Sequence, residues 1–199
     1  MSDLKKLRIK AVLKYTWPFY IIATFLIALG LYFIFGVTHR TPTYKALTLF
    51  VSGQSKDNNQ LRDDMLEKYK EKEIVSFSCI VADPSDSNYY SKLSIPGYNS
   101  ADVLIIPESK LADLTVSAFA LDLNEELIAD YYPSYTLYEQ EETKYGIKLN
   151  KEKAGEYFYL PSEDCYMFLN GNSENTGKYS KTGIKEHNVA LEFTKDWGI

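Results

Sequence analysis

The sequence has few of the side chains on which most catalytic and metal sites depend. Its 199 residues include only two histidines and two cysteines, and these are widely separated. Structural zinc sites need clustered nitrogen or sulfur ligands, and calcium sites need regularly spaced oxygen ligands around a glycine. The sequence also has no glycine-rich phosphate-binding loop and no G-x-S-x-G turn. We therefore expect no metal, no cofactor and no catalytic residues, and so a protein that is not an enzyme.

The two cysteines, Cys79 and Cys165, leave two alternatives open. Each lies in an apolar, strand-like stretch, so both can be buried structural thiols. The other alternative is a disulfide between two strands, which an extracellular compartment would permit. A reactive thiol is not expected, because it needs a nearby cation such as histidine, and His39 abuts a long apolar segment.

Residues 15–37 form a run of 23 residues without a charged side chain. As a helix this run would rise about 34 Å, which is enough to cross the ~30 Å hydrocarbon core of a bilayer. A cleaved signal peptide is the alternative, but its apolar region covers only about 7–15 residues and ends at a small-residue site that is missing here. We expect a single transmembrane helix.

The charges that flank the run predict its orientation. Five lysine or arginine residues precede it against one acid, Asp3, whereas Arg40 and Lys45 are followed by a mostly acidic segment. Lysine and arginine concentrate on the cytoplasmic side of a span, so the bulk of the chain should be outside the cell. The predicted organisation in the cell membrane is a cytoplasmic basic tail (1–14), a transmembrane helix (15–37), a linker (38–45) and an extracellular α/β domain (46–199).

The remainder of the chain is acidic. The whole chain has 22 Lys+Arg and 27 Asp+Glu residues, and the basic tail contains five of the former and one of the latter. The remaining 17 basic and 26 acidic residues give a net charge of −9. Such a surface argues against nucleic acid as a partner. The chain also has no N-x-[ST] glycosylation sequon, which favours a bacterial source.

The first part of the outer domain alternates between strand and helix patterns. Compact apolar runs at 46–52, 74–81 and 102–106 are typical of buried strands. Apolar residues at helical spacing predict a helix to about residue 72, and 109–118 predicts a second, short helix. This alternation predicts a three-layer α/β fold with a mainly parallel sheet, in which 46–52 lies between the other two strands.

Polar residues mark the ends of these elements. Either Asp57 or Asn58 is placed to cap the first helix and Asn124 a later one, and the polar stretch 83–100 with Pro96-Gly97 predicts a loop. The second half of the domain predicts short, partly antiparallel strands at 135–138, 145–149, 156–161 and 165–170, then a loop at 171–183 and a helix at 185–197.

Several segments together resemble the bacterial extracellular solute-binding proteins of transporters, a two-lobed family with a periplasmic-binding-protein-like (type II) fold. They are LTLFVSG (47–53), SADVLIIPESKLADL (100–114), FALDL (119–123), YGIKL (145–149) and VALEFTKDW (189–197). In the family an Ala-Asp pair opens a buried strand, as Ala101-Asp102 does here. The resemblance implies a binding module rather than an enzyme.

The chain departs from the family pattern in its length. Only a few residues separate YGIKL from EYFYLP, where the second lobe is inserted in full members, and the usual lipid anchor is replaced by a transmembrane helix. The resemblance therefore implies one membrane-anchored lobe, working beside a transporter or another membrane protein complex. Binding of a small-molecule ligand is weakened by the loss of a lobe. A cell-surface enzyme that acts on envelope material is the alternative function.

The candidate binding residues follow from the expected sheet. In open parallel sheets, ligands bind beyond the carboxyl ends of the strands, at the point where the strand order reverses. Short polar side chains and backbone N–H groups at two such strand ends could receive a ligand or a partner loop. The predicted site residues are Ser52, Gly53, Gln54, Pro107, Glu108 and Ser109.

Overall fold

The computed structural model describes residues 3–38 and 41–199, so His39 and Arg40 lie outside the described residues. The chain divides into two compact units, Met1–Arg40 and Thr41–Ile199, which are described separately. The predicted boundaries of the tail, the span and the linker stay predictions.

The first unit is one helix, α1 (Asp3–Thr38), which runs without a break through the basic tail and the apolar run. Its segment Lys14–Gly36 has a mean hydropathy of 2.2 over its most apolar window, and none of that window is buried. Among the described residues it is the one helix long and apolar enough to cross a membrane. A signal sequence near the N-terminus has the same two properties.

The second unit, here called the α/β unit, contains eight strands and seven helices among its described residues. The strands are β1 (Ala46–Ser52), β2 (Gln54–Ser55), β3 (Ser76–Ala82), β4 (Val103–Pro107), β5 (Leu137–Gln140), β6 (Thr143–Lys148), β7 (Phe158–Tyr159) and β8 (Cys165–Leu169). The helices are α2 (Asn58–Lys68), α3 (Tyr89–Lys92), α4 (Tyr98–Ser100), α5 (Glu108–Leu111), α6 (Glu125–Tyr131), α7 (Lys151–Ala154) and α8 (Val189–Trp197).

Six strands form one mixed sheet in the order β3-β1-β4-β8-β6-β5, and β2 pairs with β7 in a separate ribbon. Strand β1 pairs in parallel with β3 on one side and with β4 on the other, so the predicted central position of 46–52 is confirmed. Strand β8 is antiparallel to both β4 and β6, so β6 runs in the direction of β4. Four strands of the six therefore point the same way, and the predicted α/β class is confirmed.

The core lies on both faces of this sheet. Alternate residues of β1 and β4, such as Leu49 and Ile105, face a layer that includes α2, α6 and α8. Their neighbours, such as Phe50 and Leu104, face a second layer that includes α3 and α5. Strand β4 is buried on both faces along its whole length, so its residues are continuously apolar and do not alternate with polar residues.

Two predicted helix caps are confirmed, and of the two candidates for α2 the cap is Asp57. The Asp57 carboxylate accepts from the backbone N–H groups of Asn59 and Gln60 at the start of α2. The Asn124 side chain accepts from the Leu127 N–H at the start of α6. Each bond satisfies a backbone donor that the first helical turn leaves without a partner.

The predicted loop at 83–100 is wrong, because most of this stretch is helical. It contains α3, a π-helical turn at Leu93–Gly97 and α4. Tyr89 and Leu93 are buried against the sheet, and this tertiary burial overrides the polar composition and Pro96. The helix expected at 109–118 is reduced to α5 and a 3₁₀ turn at Val116–Ala118, and the last helix begins at Val189 rather than at 185.

We expect Ile105→Asp to unfold the α/β unit, because Ile105 is fully buried in β4 and an unpaired charge there costs about 4 kcal/mol or more. The matched control is Ile95→Asp, since Ile95 is 68% exposed and the same change there should cost less than about 0.5 kcal/mol. Urea unfolding of the full chain in detergent, followed by circular dichroism, measures both. Equal midpoints for the two variants would contradict the assignment of β4 to the core.

Candidate functional site

The six predicted site residues do lie at one edge of the sheet. Strands β1, β3, β4 and β6 all end at this edge, here called the carboxyl edge. In the sheet, β3 lies on one side of β1, and β4, the next strand of this sheet along the chain, lies on the other side. The strand order therefore reverses between β1 and β4. Ser52–Gln54 and Pro107–Ser109 flank this reversal, as the sequence predicted.

Three of the six residues are buried. The Ser52 hydroxyl is hydrogen-bonded to the Tyr89 hydroxyl at 2.8 Å, and both groups are shielded from solvent. Gly53 lies so close to β7 that an added Cβ would be 2.6 Å from the carbonyl oxygen of Tyr159. Pro107 is paired with Cys165 in the sheet. These residues serve the packing of the edge, and their side chains are not open to a partner.

The other three residues are exposed, and two of them have partners within the chain. The Gln54 amide donates to Asp83 Oδ2 at 2.7 Å. The Ser109 backbone N–H and hydroxyl donate to the two carboxylate oxygens of Glu163 at 2.7 and 2.6 Å. Glu108 is held through its backbone N–H, which donates to the Asp164 carbonyl at 2.9 Å. The binding role of these six residues stays a prediction.

The reversal point itself is filled by a side chain of the protein. Tyr89, from the helical segment that the sequence analysis took for a loop, is 1% exposed beside Ser52. Burial raises the pKa of Tyr89 to about 12, so its hydroxyl stays neutral. Lys110 covers the tyrosine ring, with its Nζ 5.6 Å from the ring centroid. The place where ligands gather in other open sheets is therefore occupied internally.

A polar pocket opens at the opposite edge, where β1 and β4 begin. It has a volume of about 270 Å³, and we call it the Asp102 pocket. Its walls come from the segment before β1, from the turn before β4 and from the loop after β8. They include Thr43, Thr48, Asn99, Asp102, Asn172 and Glu174.

Asp102 is the centre of a buried hydrogen-bond network. One carboxylate oxygen accepts from the Thr48 backbone N–H at 2.8 Å, and the Asp102 N–H donates back to the Thr48 carbonyl at 2.7 Å. The other carboxylate oxygen accepts from the Ser173 hydroxyl at 2.6 Å and from the Asn175 amide at 3.2 Å. The starts of two neighbouring strands are thus tied to the loop after β8.

Asparagines hold that loop in place. The Asn170 amide donates to the carbonyls of Tyr98 and Ala101 at 2.8 and 2.7 Å, and its side-chain oxygen accepts from the Asn172 N–H at 2.9 Å. The Asn175 amide also donates to the Ala46 carbonyl at 2.8 Å. Because asparagine can donate and accept at once, these side chains replace backbone partners that the loop lacks.

Sequence reasoning missed this pocket. It identified Asp102 only as the start of a buried strand and took 171–183 as an ordinary loop. The one available signal was the density of Asn and Ser residues directly after β8, at Asn170, Asn172, Ser173 and Asn175. Such residues are also common in exposed turns, so composition alone could not place them beside Asp102.

The pocket has an unusual charge balance. Burial raises the pKa of Asp102 from its ordinary value to about 6, and the charge of Glu174 acts in the same direction. The hydrogen bonds from Ser173, Thr48 and Asn175 act against this shift but do not cancel it. Asp102 is thus a desolvated carboxyl group that is held by neutral donors instead of by a cationic side chain.

Both cysteines are free thiols, which decides between the two alternatives left open by the sequence. Burial raises the pKa of Cys79 to about 12 and that of Cys165 to about 11. Buried thiols of this kind are poor nucleophiles. His187 is stacked on Tyr44 with 4.0 Å between ring centroids. Within the described ranges, no group of three or more His, Cys, Asp or Glu residues is placed to hold a metal ion.

The solved structures that match the chain include two bacterial binding proteins with a bound ligand. A maltose/maltodextrin-binding domain from Bdellovibrio bacteriovorus, bound to maltotriose, is 12% identical, with a TM-score of 0.39 over 52% of this chain and 28% of that one. An ABC substrate-binding protein from Listeria monocytogenes, in complex with cycloalternan, is 17% identical, with a TM-score of 0.32 over 58% of this chain and 34% of that one.

Both neighbours are binding proteins that are much longer than the part matched here. The chain matches only about a third of the length of either, and TM-scores below 0.5 do not establish a shared fold. No family model matches the chain, and no curated protein matches it significantly.

We expect the Asp102 carboxyl to titrate near pH 6, because burial outweighs its three hydrogen bonds. The pKa of Asp102 in the folded state lies above its ordinary value of 3.8, so the protonated carboxyl favours folding. The free energy of unfolding that Asp102 contributes is therefore lost as the pH rises through 6. The measurement is a carbon-13 NMR titration of the side-chain carboxyl, with Asp83, whose hydrogen bonds lower its pKa to about 2, as internal control. A midpoint for Asp102 below 4 would show that the network outweighs desolvation.

Proposed function

We propose that the chain is a membrane-anchored, non-catalytic binding module that resembles one lobe of a transporter solute-binding protein. In this proposal α1 crosses the cell membrane with its N-terminus inside, and the α/β unit lies outside a bacterial cell. There the unit binds a small polar solute or a loop of a neighbouring transporter or other membrane complex.

The observation that carries the binding role is the open Asp102 pocket with fixed polar walls. Its Asn, Ser, Thr and acidic side chains are held by hydrogen bonds to β1, β4 and the loop after β8. A wall that is already ordered loses little conformational entropy when a solute binds. In small-molecule sites, fixed polar groups such as these set the orientation of the ligand.

The anchoring role is supported by the length and the charge of α1. Its 23-residue apolar segment exceeds the 7–15 apolar residues of a typical signal sequence, and the preceding tail is strongly basic. The outer unit, by contrast, is acidic and rich in polar loops, as suits exposure to water.

One observation favours the second candidate, an enzyme that acts on envelope material. A carboxyl group with a pKa near 6 can exchange protons at neutral pH, and Asp102 shares its pocket with Glu174. Against this, Asp102 already accepts three internal hydrogen bonds, which hold it as part of the scaffold. We therefore rank binding above catalysis.

If the orientation is right, protease added to intact spheroplasts will remove the α/β unit and leave the basic tail protected. The reason is that the positive flank keeps residues 1–14 in the cytoplasm. Epitope tags at the two ends of the chain, detected by immunoblotting, measure this outcome, and detergent-lysed cells provide the control in which both tags are lost. A protected α/β unit, or its release from the membrane without protease, would overturn the anchored orientation.

If the pocket binds a solute, the full chain purified from membranes under gentle conditions will carry a small molecule at up to one per chain. Native mass spectrometry detects it, and Asn172→Ala should reduce its occupancy several-fold because Asn172 is exposed at the pocket wall. The control is Asn59→Ala, on the exposed start of α2. Recovery of a chemically altered solute after incubation would favour the enzyme instead.

A further inference from the structure

We propose that the Asp102 pocket takes a small organic cation, whose ammonium group lies against the carboxylates of Asp102 and Glu174. This inference rests on the proposed binding function and names the ligand class for the same pocket. The proposal predicts that anionic solutes do not bind to the pocket and that neutral solutes bind more weakly than ammonium compounds.

The first argument is the sign of the charge in the pocket wall. Two carboxylates, Asp102 and Glu174, line the cavity, and no lysine or arginine of the described residues does so. The nearby Lys45 is paired with Glu73 at 2.7 Å, and Lys181 donates to the Asn172 amide oxygen. Lys181 thus reaches the rim of the cavity through Asn172, but among the described residues neither Asp102 nor Glu174 is paired with a lysine or arginine.

The second argument is the unused acceptor capacity of Asp102. An ionised carboxylate offers about four acceptor positions, and the structure fills three of them with Thr48, Ser173 and Asn175. A buried charge without a counter-charge is costly, and a ligand that brings a positive donor relieves this cost. An ammonium group supplies both the charge and the missing hydrogen bond.

Glu174 provides the second negative group. It lies in the loop after β8, where the Thr43 hydroxyl donates to one of its carboxylate oxygens, Oε2. The other oxygen, Oε1, has no hydrogen-bond donor among the described residues. Because Asp102 and Glu174 repel each other's charge, a cation between them stabilises both ionised forms.

The size and coordination of the pocket favour an organic cation over a metal ion. A volume of about 270 Å³ is slightly below the roughly 300–1,000 Å³ of pockets for drug-sized ligands, so it suits only a compact amine. A calcium ion needs six to eight oxygen ligands, whereas Asp102 already uses three of its four acceptor positions within the protein. Asn99 and Ser100 are exposed at the rim and can bind a hydroxyl group of the ligand.

The test uses three probes of nearly equal size that differ in charge: ethanolammonium, ethylene glycol and glycolate. Each is titrated into the full chain in lipid nanodiscs at pH 7.5 and constant ionic strength, and NMR shifts of the pocket amides give the dissociation constants. We expect ethanolammonium to bind at least tenfold more tightly than ethylene glycol, and glycolate not to bind.

Two charge-neutralising variants make the result specific. Glu174→Gln should weaken ethanolammonium about tenfold and leave ethylene glycol unchanged, because Glu174 is not part of the buried network. Glu186→Gln, which removes an exposed acid outside the pocket, should change neither. Thermal unfolding of each variant confirms that the fold is intact.

The outcomes separate the ligand class from the proposed function. Equal binding of ethylene glycol and ethanolammonium would overturn the cation proposal but leave a binding pocket. An equal effect of Glu174→Gln and Glu186→Gln would show non-specific attraction and also overturn it. No binding of any probe, together with a purified chain that carries no solute, would remove both the ligand class and the binding function.

Discussion

The α/β unit depends on a single buried carboxylate. Asp102 joins the start of β1, the start of β4 and the loop after β8 through groups that are about 54 to 73 residues away from it in the chain. Removing either side of such a network leaves buried donors without partners, which costs about 1–3 kcal/mol for each group. The apolar faces of the sheet supply most of the stability, but the network decides how the three segments are aligned.

The two edges of the sheet differ from those of a usual open α/β sheet. At the carboxyl edge, Tyr89 and its bond to Ser52 fill the place where the strand order changes. At the amino edge, polar side chains leave a cavity open. In other open α/β sheets, ligands bind in the crevice beyond the carboxyl ends of the strands, where the strand order reverses. Here the helical segment that carries Tyr89 fills this crevice.

The sequence predicted those features that depend on near neighbours. Strand β1 was predicted with its observed limits because an apolar run between polar ends is a local pattern, and Asp57 caps a helix within three residues of itself. The segment around Tyr89 was not predicted, because its helical form depends on burial against β1. The Asp102 pocket was not predicted either, because its walls meet only after β8 has paired with β4.

The bond between Ala46 and Asn175 spans 129 residues of sequence and has a consequence for biosynthesis. Strand β1 is synthesised well before Asn175, and contacts of such sequence separation form slowly. While the chain is still emerging, the acidic groups of the unfinished network remain in water and the apolar strands lack their cover. The amino edge of the sheet therefore stays incomplete until Asn175 has been synthesised and has reached Ala46.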